Sequence, residues 1–137
     1  MNAYNFLNEI RHYNERIDSL TQQIFALHTL SEKCTSSLSE VRVSSTQVSS
    51  RVEDAVTKII DYENELIDTM NELTEKKKTV GIMIAKIDNP ELRLVLEYRY
   101  LCNMTFESVA SKMHYSIKWV QKKHEMALAE FERVNSI

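Results

Sequence analysis

Turn chemistry is almost missing from this chain, which holds one glycine, Gly81, and one proline, Pro90. That scarcity excludes folds built from many short strands and tight turns. With Glu, Lys, Leu, Ile and Ser abundant, it predicts an all-α protein made of long helices. Cysteine is nearly as rare: Cys34 and Cys102 lie too far apart for a metal clip, and no histidine stands at ligand spacing from either. Two free thiols in a reducing cytosol are expected. No run approaches the roughly 20 apolar residues of a membrane span, and the first residues show no charged-then-apolar signal region, so a cytoplasmic protein without membrane contact is expected. Catalytic patterns are missing too. There is no Gly-rich phosphate loop, no His–Glu pair at metal spacing and no nucleophile beside a base, while Asp61 and Glu65 form an ordinary solvated helix face. The expectation is a non-enzyme with no catalytic residue, no metal and no cofactor.

What the chain does have is helical periodicity. Phe6, Ile10, Tyr13, Ile17, Leu20, Ile24 and Leu27 recur in alternating steps of four and three, the seam of a helix that packs along another. A second seam runs Val52, Val56, Ile59, Glu63, Leu66, Met70, Leu73, Lys77, Val80, Ile84, Ile87, and Ile60 and Ile67 widen its apolar face. Glu63 and Lys77 stand on that seam, either close to solvent in a thin bundle or setting register and partner choice. Residues 31–50 contain eight serines with Thr35 and Thr46, hydroxyls that compete with the helical backbone. The seam nevertheless keeps its phase through Ser31, Cys34, Leu38, Val41, Ser45 and Val48, and one extra four-residue step joins it to the second seam. Two architectures fit. An antiparallel hairpin bends within this stretch, or one rod of about 120 Å runs from residue 4 to 88. The hairpin is preferred, with helices over about 4–30 and 51–87 and a Ser-rich bend at 31–50.

A fresh start follows at Asp88-Asn89-Pro90-Glu91, with Asn89 as N-cap, Pro90 at the first helical position and an acidic first turn. The helix from Pro90 to about Cys102 is expected to bury Leu92, Val95, Leu96, Tyr98 or the Arg99 stem, and Leu101. Thr105 caps a short helix that buries Phe106, Val109, Ala110 and Met113. Met113-His114-Tyr115-Ser116 makes a tight turn, and Ser116 caps a last helix that buries Val120, Ala127 and Phe131. Ala110 is the small residue that lets these helices cross closely. The arrangement is that of a helix-turn-helix, whose second helix fits the DNA major groove. Charge is uneven: residues 1–90 hold 10 Lys/Arg and 14 Asp/Glu (net −4), and residues 91–137 hold 7 and 6 (net +1). So small an excess predicts weak affinity from phosphate contacts alone.

The stretch LRLVLEYRYLCNMTFESVASKMHYSIKWVQKKHEMALAEF resembles the fourth conserved region of bacterial sigma factors, which reads the upstream promoter element. Arg99-Tyr100 precede Thr105-Phe106-Glu107-Ser108-Val109-Ala110 as an Arg-Tyr helix precedes Thr-Leu-Glu-Glu-Ile-Ala in that family. Ala127-Leu128 and Phe131 match its closing residues. The whole chain is similar to short phage and prophage proteins of Gram-positive bacteria that couple a helical extension to a sigma-like tail, among them regulators of late genes and autolysin expression. The resemblance implies that Ser116, Ile117, Lys118, Gln121 and Lys122 face DNA; Lys123 follows the same capped turn and is read with Lys118, Gln121 and Lys122 as DNA contacts, the alternative being a solvated helix face. The family carries a turn glycine where this chain has His114, and an Arg-Glu-Arg run where it has Ile117-Lys118-Trp119.

The expected fold is therefore all-α: a helical hairpin or coiled coil over residues 1–88, then a three-helix helix-turn-helix module over 89–137. The expected function is a phage-type DNA-binding transcriptional regulator. Its partners are double-stranded DNA and, through the extension, RNA polymerase or a second copy, with a dimer favoured. Two other readings fit the same pattern: a DNA-packaging oligomer akin to small terminase subunits, and a coiled-coil interaction protein that does not touch DNA. Trp119 and His124 are expected to be structural, and Arg99 either to contact the DNA backbone or to salt-bridge Glu107, the salt bridge being preferred.

Overall fold

The computed structural model describes residues 2–40 and 45–137, and side chains outside 34–49. All regular structure among the described residues is helical: α1 Ala3–Glu40, α2 Ser45–Ala85, α3 Pro90–Leu96, α4 Phe106–Met113 and α5 Ile117–Asn135. A π-helical turn, Glu97–Leu101, prolongs α3.

Both long helices overrun their expected ends. The Ser-rich stretch expected to bend is helical through Glu40 and again from Ser45, and the part of the expected bend at 41–44 lies outside the described residues. Helix propensity is a weak local bias that tertiary packing overrides. Elsewhere in these helices the hydroxyls of Thr21, Thr29, Thr57 and Thr69 donate back to the carbonyl four residues earlier instead of breaking the ladder. The expected seam through Cys34, Leu38, Val41, Ser45 and Val48, and its four-residue stutter, fall outside the described side chains. The continuous rod is excluded, because Lys76 Nζ lies 2.8 Å from Glu9 Oε2.

The chain forms two compact units, Met1–Asn14 with Glu72–Ile137, and Glu15–Asn71, whereas the sequence suggested a division at residue 88. In the first, Ala3, Leu7 and Ile10 are buried along with Leu73, Val80, Ile84, Ile87, Leu92, Val95, Leu96, Tyr100, Val120, Ala127 and Phe131. The ring of Phe6 lies 6.1 Å from that of Phe131, and Lys76 Nζ sits over the Phe6 ring 3.9 Å from its centroid. The Ala3 N–H donates to Glu132 Oε1 at 2.8 Å. In the second unit Leu20, Ala55 and Ile59 are buried, Arg16 pairs with Glu65, and His28 Nε2 lies 4.0 Å from Glu63 Oε1.

The join is built as its residues dictate. Asn89 Oδ1 accepts the N–H groups of Glu91 at 2.9 Å and Leu92 at 3.3 Å, with Pro90 at the first helical position. Arg93 Nη1 donates to the Ile87 carbonyl at 3.2 Å, satisfying an acceptor beyond the end of α2. The π turn was not foreseen. There Cys102 N–H donates to the Glu97 carbonyl, and Asn103 takes left-handed backbone at φ 53°.

Candidate nucleic-acid interface

Three short polar devices shape the segment from Thr105 to Asn135. Thr105 Oγ1 accepts the Ser108 N–H at 3.1 Å and starts α4. His114 ends α4 in left-handed backbone, φ 61° and ψ 40°, its N–H turned back on the carbonyls of Ala110 and Ser111. Ser116 Oγ then accepts the Trp119 N–H at 3.1 Å and starts α5. A histidine in this conformation is strained relative to glycine, so the chain holds the turn at a cost on the order of 1–2 kcal/mol.

Beneath the turn, Val95, Val109, Ala110 and Val120 form a buried cluster, and Tyr98, Met104, Phe106, Met113 and Trp119 pack against it half-buried. Ala110 is buried at the crossing of α4 and α5, as its size suggested. Phe106 and Met113, expected in the core, are only half-buried against this cluster. Trp119 stacks on Tyr115 with ring centroids 3.6 Å apart and planes 14° apart, and this pair braces the turn.

The expected DNA-facing residues share the first turns of α5. Ser116, Ile117, Lys118, Gln121 and Lys122 are exposed. Lys123 is half-buried, its Nζ 5.5 Å from the Trp119 ring centroid, and so stands apart from the other two lysines. No acidic residue occupies the first turn of α5, which leaves the partial positive charge of its N-terminus uncompensated.

The polar group behind this surface is one the sequence left half-read. The helix from Pro90 and its π turn bury Tyr100, whereas Tyr98 and Leu101, expected in the core, are only half-buried. Its hydroxyl lies 2.7 Å from His124 Nε2. Leu92, Leu96 and Tyr100 follow one another at four-residue steps, and that spacing was the available signal. His124 is 6% exposed and meets the Phe106 ring edge-on at 5.1 Å. Burial, and then the charge of Arg99, push its pKa down to about 4, so the ring is neutral and shares a hydrogen bond with the Tyr100 hydroxyl. Burial pushes Tyr100 up to about 12. Arg99 does not form the expected pair with Glu107. It donates to the Met104 carbonyl at 3.0 Å, and its guanidinium covers the Phe106 ring at 4.1 Å. Its pKa is lowered, first by burial and next by Arg11.

Among the described residues, no cluster of His, Cys, Asp and Glu is placed to hold a metal ion, and no helix is long and apolar enough to cross a membrane. Cys102 is exposed as a free thiol. Comparison with curated proteins finds no match, and comparison with solved structures finds none. The model of one family, described as Protein of unknown function (DUF1492), matches residues 33–132, most of the chain from within α1 into α5, and the protein belongs to that family.

Proposed function

We propose that this protein is a DNA-binding transcriptional regulator of the phage and prophage type, with Thr105–Asn135 acting as a sigma-like helix-turn-helix. In this reading α3, α4 and α5 form the three-helix module, and α1 and α2 form a helical hairpin that carries it and engages RNA polymerase or a second copy. One observation carries the proposal. A Thr-capped helix, a left-handed turn at His114 and a Ser-capped helix follow one another, and the cap Ser116 with Ile117, Lys118, Gln121 and Lys122 beyond it lie exposed. The helix N-terminus favours a phosphate, Lys118 and Lys122 supply countercharge, and Gln121 and Ile117 are suited to a base edge and a thymine methyl. Lys123, drawn over Trp119, contributes less.

The test is a gel-shift at low salt on sites selected from random-sequence DNA. The Lys118→Glu/Lys122→Glu variant should lose binding while its helical circular dichroism is unchanged. Undiminished binding by that variant would sink the proposal. The net charge of only +1 over residues 91–137 also supports a second reading, a polymerase-binding adaptor that never touches DNA. Co-purification with RNA polymerase, together with no DNA affinity at any salt concentration, would favour it.

A further inference from the structure

The unit Glu15–Asn71 leaves apolar residues of α2 in water. Val56, Ile60 and Ile67 are 44%, 51% and 55% exposed, although they belong to or flank the apolar seam. At about 100° per residue they fall within roughly 40° of arc along about 17 Å of helix, a continuous stripe. The packed line of α2 is the neighbouring one, through Ala55 and Ile59. On α1, Phe25 is 73% exposed and sits three residues before His28, whose ring lies 4.0 Å from Glu63.

The edges of the stripe are acidic. Between Val52 and Asn71 there are six carboxylates, Glu53, Asp54, Asp61, Glu63, Glu65 and Asp68, against the single Lys58. Glu65 is engaged by Arg16, but Glu53, Asp61 and Asp68 are exposed and form no ion pair among the described residues. A second copy laid on this face would set like charges against each other, and an anionic surface would be repelled. An apolar stripe edged by carboxylates is complementary to a helix with the same apolar spacing and basic flanks.

We propose that the Val56–Ile60–Ile67 face docks a basic amphipathic helix of a partner protein. The inference rests on the reading of α1 and α2 as a partner-binding extension, not on DNA recognition. It is tested on the full chain by calorimetric titration with a synthetic helical peptide about three heptads long, leucines on its seam and lysines on its flanks. The control is a scrambled peptide of the same composition. The seam peptide should bind the native chain on the order of tenfold or more tightly than the scrambled one. Ile60→Ser/Ile67→Ser should weaken it by a comparable factor through lost apolar burial. Asp61→Asn/Asp68→Asn, which leaves the stripe intact, should weaken it too and flatten its salt dependence. Lys118→Glu/Lys122→Glu should keep full peptide binding, which separates this surface from the DNA reading. Equal binding of the scrambled peptide, or full binding by Ile60→Ser/Ile67→Ser, would overturn the proposal. So would a native chain that sediments as a dimer and becomes monomeric in that variant, since a second copy would then cover the face.

Discussion

At the scale of single residues, the Tyr100–His124 pair is the most consequential polar feature of the buried interior. The hydrogen bond between a neutral imidazole and a phenol satisfies two polar groups that would otherwise be desolvated without compensation. Acid acts against it. Histidine in the unfolded chain takes up its proton near pH 6.5, whereas His124 in the folded chain does so only near about 4. The contribution of His124 is therefore complete above about pH 6.5, is lost as pH falls from there toward about 4, and falls no further below that. The expected loss is on the order of 3 kcal/mol across the window. Urea unfolding at about pH 7 and about pH 4.5 should show it in the native chain, and His124→Gln should remove most of the slope. An equal slope in the variant would assign the acid sensitivity to other groups. The sequence marked His124 as structural but not its partner, because Tyr100 becomes interior only once α5 is laid across α3.

At the scale of elements, caps and periodicity were legible and the irregular turns were not. Asn89, Thr105 and Ser116 cap the helices they were expected to cap, since an N-cap needs only a side-chain oxygen and an amide two or three residues on. The π turn at Glu97–Leu101 carries no comparable local mark. The turn at His114 offers a direct measurement. His114→Gly should raise stability by about 0.5–1 kcal/mol, because glycine takes φ 61° without the Cβ clash, partly offset by its more flexible unfolded chain. His114→Val should lower it by about 1–2 kcal/mol, since a β-branched residue tolerates this backbone poorly. Thermal midpoints that rank Gly above His above Val would agree; a variant Gly less stable than the parent would place the His114 ring in a supporting contact.

At the scale of the whole molecule, the opening residues belong to the same compact unit as α3, α4 and α5. Ala3, Leu7 and Ile10 are buried there, and Phe6 meets Phe131 near the end of α5. Fewer than about 50 residues from Pro90 onward bury too little surface to be robust alone, and residues 1–14 supply part of what the module lacks. Leu7→Ala should therefore destabilise the unit by about 2–5 kcal/mol. The fluorescence of Trp119, the single tryptophan, should report the loss from the far end of the sequence. A change below about 1 kcal/mol would detach residues 1–14 from this core.

The sequence by itself determined the class of structure and its punctuation. Scarce glycine and proline, seams of three and four, and capping side chains act through atoms a few residues apart, so they need no knowledge of the rest of the chain. Only the tertiary structure decided which of two adjacent apolar lines on α2 is covered, that Tyr100 rather than Tyr98 turns inward, that Arg99 caps a carbonyl rather than pairing with Glu107, and that the opening turns of α1 close the core beside α5. Each of those choices depends on a surface supplied from far along the chain, and periodicity can show that a face is apolar but not what will cover it.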